Sequence, residues 1–122
     1  MADSKEKEFV KELMALCGEL RHMKGDKKYN PTRFIQMIMN ENPMARIKEM
    51  LSPKYTDVSD GWVNLYDRGL LDYSVEFTAL HPKWRELFSD EELRAAEERL
   101  LQSNFSRADI DAQKAGSYNR KK

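Results

Sequence analysis

Cysteine is nearly missing from this chain. Cys17 is the only one in 122 residues, so no internal disulfide can form and nothing in the composition asks for an oxidising compartment. Long apolar runs are missing too, and the opening Met1-Ala2-Asp3-Ser4-Lys5-Glu6 carries charge where an export signal would carry an apolar stretch. A cytoplasmic protein without a membrane span is the expectation. Net charge is zero, with 21 Lys and Arg against 21 Asp and Glu, which removes any bulk attraction to nucleic acid or to an acidic membrane and leaves only local patches. Residues 29–56 carry four basic and two acidic groups, residues 103–122 five and two, and residues 57–102 five and eleven, so an anion-binding face must lie on the early helices or the tail. Histidine is reduced to His22 and His81, 59 positions apart with no spaced cysteine or acidic partner, and neither a metal nor a cofactor is expected.

What the chain has in abundance is helix punctuation. Phe9, Leu13, Leu16, Leu20 and Met23 recur at spacings of four and three, the period of an amphipathic helix that Lys24-Gly25-Asp26 ends. Tyr29-Asn30-Pro31 reads as a second start, with Asn30 as cap and Pro31 at the first helical position of a helix running from Pro31 to about Glu41, and Asn42-Pro43 repeats the signal for a third helix ending at Ser52-Pro53. Ser59 or Asp60 then caps a stripe of Trp62, Leu65 and Tyr66 that Gly69 closes, with Leu70 folding back on Leu65. Asp72 caps residues 73–80, where a helical stripe of Tyr73, Glu76, Phe77 and Leu80 competes with a strand-like alternation of Val75, Phe77 and Ala79; the helix is favoured because a lone strand has no partner. Ser89 with Glu92 forms a capping box inside a Phe88 and Leu93 staple, starting a helix that ends near Gln102. Beyond it Ser106 and Asp109 could cap one or two more turns, but Gly116 to Lys122 has nothing to bury. The expected architecture is all-α: a compact bundle of five to seven short helices. Residues 1–102 form one domain (1–28 the first helix and its connector, 29–102 the core), and 103–122 a mostly flexible basic tail.

Across residues 29–101 the elements Tyr29-Asn30-x-Thr32-Arg33-Phe34, Asp60-Gly61-Trp62, Gly69-x-Leu71-Asp72-x-Ser74-Val75-Glu76 and Leu87-Phe88-Ser89-x-Glu91-Glu92-Leu93 resemble a family of small bacterial proteins of uncharacterised function. The resemblance implies a small all-helical protein and carries over no catalytic residue. The chain departs from the family at Asn42-Pro43-Met44, where a Gly-rich turn is more usual, and in its basic tail.

Few residues offer chemistry. Cys17 lies on the apolar face of the first helix and reads as a small core side chain rather than a nucleophile. Glu76 is unusual, because a carboxylate inside an apolar stripe is costly unless a cation meets it; a structural ion pair with Arg33 is the expectation, with a ligand role as the other reading. Glu91, Glu92, Glu97 and Glu98 share their helix with Arg94 and Arg99 as a solvated face. Met37, Met39, Met44 and Met50 could fill a core or form an adaptable binding surface.

Function is therefore expected to be that of a non-enzymatic binding or accessory protein acting through protein contacts or self-association. Its partner-binding face would be Phe9, Leu13, Leu16, Leu20 and Met23 on the first helix. The alternative is a nucleic-acid-binding module using Arg33, Gln36, Asn40, Arg46 and Lys48 with Arg120, Lys121 and Lys122. An enzyme of unrecognised type comes third.

Overall fold

The computed structural model describes residues 2–25, 29–39, 42–52 and 60–119, and of these residues 2, 3, 60 and 61 by backbone alone. Seven α-helices follow one another with no strand among the described residues: α1 (Ala2–Arg21), α2 (Thr32–Ile38), α3 (Pro43–Leu51), α4 (Asp60–Asp67), α5 (Val75–Ala79), α6 (Asp90–Gln102) and α7 (Arg107–Lys114). Single 3-10 turns at Leu71–Tyr73 and Arg85–Leu87 lead into α5 and towards α6.

The apolar stripe of α1 does what its period requires: Phe9, Leu13, Leu16, Cys17 and Leu20 are all buried. Phe9 meets Trp84 and Phe88 edge-on, each at 5.3 Å between centroids, which fixes α1 against the turn before α6. At the other end the helix stops at Arg21, sooner than its sequence signal, and His22 Nδ1 donates to the Gly18 carbonyl at 2.8 Å. The expected caps at Asn30 and Asn42 are not made by side chains. Pro31 is itself the cap residue of α2, whereas Pro43 opens α3 from the first helical position. Of the two alternatives for the start of α4, Ser59 falls outside the described residues, as does the side chain of Asp60.

Gly69 closes α4 at φ +69°, and Leu70 N–H donates to the Leu65 carbonyl at 2.8 Å, as the stop signal there predicts. In the next segment the cap is Ser74, not Asp72. Its hydroxyl accepts from Phe77 N–H at 3.1 Å, and Asp72 instead accepts from the Tyr118 hydroxyl at 3.0 Å. All five residues of α5 are buried, which explains the conflicting periodicities: a helix covered on every side has no polar face to set a period. The capping box of α6 is complete, with Glu92 N–H to Ser89 Oγ at 3.1 Å and Ser89 N–H to Glu92 Oε1 at 2.9 Å.

The tail is a correction. From residue 103 the chain turns at Asn104 (φ 63°), Ser106 caps α7, and the helix buries Ile110 and Gln113. Gln113 Nε2 donates to the Phe77 carbonyl at 3.0 Å, while Phe105 meets the Phe77 ring at a tilt and Tyr118 meets it edge-on, at 5.1 and 4.8 Å between centroids. Glu97 on α6 holds Arg107 and Lys114 at 3.3 Å each, so it belongs to this seam and not to a solvated face. Few apolar residues suffice here because Phe105 and Tyr118 both meet the Phe77 ring of α5, a helix too short to stand alone. Ile110→Ala should therefore cost about 3 kcal/mol in urea denaturation. Truncation after Gln102 should lower the melting temperature by roughly 10 °C or more; an unchanged melting temperature would show the seam to be energetically idle.

Candidate functional site

Glu76 is the second residue of α5, with its side chain only 10% exposed. Its cation is Arg99, not Arg33. Arg99 Nη1 lies 3.5 Å from Glu76 Oε2 and also donates to the Met50 carbonyl, while Nη2 donates to the Ser52 carbonyl at 2.7 Å. Those two oxygens lie at the C-terminal end of α3, where carbonyls lack intrahelical partners and a cation is favourable. One guanidinium thus ties together α6, the end of α3 and the start of α5. Burial pushes the Glu76 carboxyl above its ordinary range; its own backbone N–H and Arg99 pull the other way without cancelling the shift. Nothing in the local sequence singles out Arg99 among so many cations. The one available hint is the adjacent pair Ala95 and Ala96, whose small side chains leave room beside it on α6.

In front of this ion pair opens a cavity of about 890 Å³. Leu13, Cys17 and Leu20 of α1 form one wall, Phe34 and Met37 of α2 another, and Trp62 and Leu65 of α4 a third. Tyr73 to Glu76 line it where the chain enters α5, and Arg33, Arg46 and Glu49 contribute the remaining charged groups. Tyr73 is steadied from behind, its hydroxyl donating to Glu19 Oε1 at 3.3 Å. On the neighbouring stretch of chain, Tyr29 lies under the Arg68 guanidinium at 5.2 Å, which joins the end of α4 to the approach to α2. Cys17 faces this space with its thiol pushed up to about 11 by burial, so at neutral pH it is an uncharged wall residue and a poor nucleophile.

The expected partner face of α1 is a second correction. Phe9, Leu13, Leu16 and Leu20 are core residues and Met23 is partly buried against them, because the stripe is satisfied within this chain and is not available to another. Of the expected nucleic-acid set, Arg33 and Arg46 line the cavity, Gln36 and Lys48 are not among its lining residues, and Asn40, Arg120, Lys121 and Lys122 lie outside the described residues. Met37 and Met50 also line the cavity, Met44 is buried, and Met39 is exposed. Among the described residues no group of three His, Cys, Asp or Glu could hold a metal ion, and no helix is long and apolar enough to cross a membrane.

Comparison with protein-family models, with curated proteins and with solved structures gave no match.

The Glu76 and Arg99 pair generates two expectations. Arg99→Ala leaves a buried carboxylate and two helix-end carbonyls without their cation and should cost about 3 to 5 kcal/mol; combined with Glu76→Gln the loss should be less than additive. The pH dependence has a definite sign. Because the folded state holds the Glu76 proton more tightly than the unfolded chain does, the wild type should lose stability relative to Glu76→Gln as pH rises from about 4.5, the group's ordinary value. Urea melts at pH 4 to 8 would expose a flat difference, which would show that the carboxyl is not burdened by burial.

Proposed function

We propose that this chain is a non-enzymatic binding protein whose binding site is the cavity framed by α1, α2, α3, α4 and the start of α5. The observation that carries this reading is the cavity itself. Its volume of about 890 Å³ lies within the range of roughly 300 to 1,000 Å³ in which proteins enclose small ligands. Its make-up is mixed: leucine, phenylalanine, methionine and tryptophan side chains stand beside polar groups such as Asn30, Asn64 and Ser74, and Arg33, Arg46, Glu49 and Glu76 supply charge.

The protein-contact reading loses its strongest ground with α1, whose stripe is internal. The nucleic-acid reading is weakened as well, since of its described residues only Arg33 and Arg46 line the cavity. An uptake site for a small molecule requires neither a free helix stripe nor a basic face.

The test uses a neutral solvatochromic dye, Nile red, with the full chain. A saturable one-to-one complex of roughly micromolar affinity, about 8 kcal/mol, is expected. Met37→Trp, which pushes bulk into the cavity, should weaken it at least about tenfold with the circular dichroism spectrum unchanged. Emission from Trp62, isolated by Trp84→Phe, should shift on binding. Dye uptake that never saturates, or that ignores Met37→Trp, would remove the cavity as the site.

A further inference from the structure

One stretch of the cavity lining, Tyr73 to Glu76, is continuous in the chain, and both of its flanks are held from outside by the last segment of the protein. Just before it, Asp72 Oδ2 accepts from the Tyr118 hydroxyl at 3.0 Å. Just after it, the Phe77 ring meets Tyr118 edge-on and Phe105 at a tilt, and the Phe77 carbonyl accepts from Gln113 at 3.0 Å. Tyr118 thus grips both ends of the wall, with its hydroxyl at one and its ring at the other.

The backbone aims it there. Helix α7 ends at Gly116, φ +77°, with Gly116 N–H donating to the Gln113 carbonyl at 3.0 Å and Ser117 N–H to the Ala112 carbonyl at 2.8 Å. This double closure turns the chain through a left-handed residue, which glycine adopts at little cost, and sends residue 118 back towards α5. Ile110 and Gln113 bury the body of α7, whereas Ser117 and Asn119 are exposed, so residues 117–119 can open locally while α7 stays docked. Such an opening would loosen the wall without dismantling it. Glu19 still accepts from the Tyr73 hydroxyl, and Arg99 still faces Glu76.

On the reading that this cavity is the binding site, we infer that residues 116–119 are a strap that sets its affinity: with Tyr118 docked on Asp72 and Phe77 the wall from Tyr73 to Glu76 is fixed for a ligand, and with Tyr118 released affinity falls. Tyr118 is a positioning residue, because it holds the flanks of the wall and is not among the lining residues. The coupling is reciprocal. A ligand that binds the strapped form more tightly must hold the strap down by the same factor.

The experiment measures Nile red affinity with the full chain, at a temperature where melts show each variant to be folded. Tyr118→Ala should weaken binding about tenfold, and Tyr118→Phe, which keeps the ring but loses the bond to Asp72, about threefold. Phe88→Leu, which loosens the contact with Phe9 far from the strap, controls for general destabilisation and should bind as the wild type does. Saturating dye should also slow amide exchange at Ser117. The inference fails if Tyr118→Phe or Tyr118→Ala binds as tightly as the wild type, if Phe88→Leu loses as much as they do, or if the dye leaves Ser117 exchange unchanged. Should Tyr118→Ala not fold, Tyr118→Phe and the exchange decide. In each failure, dye uptake that Met37→Trp still weakens leaves the cavity reading standing. If the wild type takes up no dye, or Met37→Trp makes no difference, the cavity reading falls and the inference falls with it.

Discussion

The contact on which the structure most depends is the one made by Arg99. Helix α3 ends with carbonyls that have no partner of their own, and α5 begins with a carboxylate that has almost no water; each would be costly if buried alone. A single guanidinium from α6 answers both, donating to Met50 and Ser52 while its charge lies 3.5 Å from Glu76. Lysine would not serve. Its ammonium is a compact charge without the planar fork that lets one side chain reach two carbonyls and still face a carboxylate. Without Arg99, the end of α3 would keep the burial of Ile47 and Leu51 but lose the polar tie that joins it to α5 and α6.

Helix α5 extends that dependence. Five residues make too little helix to persist on hydrogen bonds of their own, so its existence rests on its surroundings. Ser74 satisfies its first turn, Gln113 from α7 satisfies the Phe77 carbonyl at its end, and Phe105 and Tyr118 cover the Phe77 ring. The last segment of the chain, polar in composition, is thereby part of the same cooperative unit. Its contribution lies in where three or four side chains land, which composition does not reveal.

How much could be read in advance follows from the range of each interaction. The capping box at Ser89 and Glu92 and the left-handed closure at Gly69 join residues three to five positions apart, so their partners are written beside them, and both occur as expected. The all-helical class rests on the same local signals. Errors of one or two residues enter where several polar groups compete for one turn, as when Ser74 and not Asp72 caps α5. Long-range pairings are a different matter: that Glu76 requires a cation is legible from its place in an apolar stripe, but the choice of Arg99 over Arg33 depends on which helix passes beside α5. The stripe of α1 likewise announces a buried face without saying what buries it. The cavity had no signature as a whole, because its walls come from five separate elements: Leu13, Leu20, Met37, Arg33, Arg46 and Glu76 each stood out beforehand, but for different reasons and not as one site.

The Arg99 cluster and the cavity adjoin, with Glu76 and Met50 common to both. The Arg99 cluster lies behind the cavity, on α6 and the ends of α3 and α5, while Phe34, Met37 and Arg46 face the space from α2 and the flank of α3. Helix α2 has few end devices: seven residues, no capping side chain and no acidic residue in its first turn. Helix α6, by contrast, carries a full capping box and three acidic residues at its start. An occupant packed against Phe34 and Met37 would add contacts to a helix that has few devices of its own. Ligand binding stabilises only the state that holds the ligand, so the gain from those contacts would fall on α2 and its junctions, apart from the contacts that Arg99 makes between α3, α5 and α6.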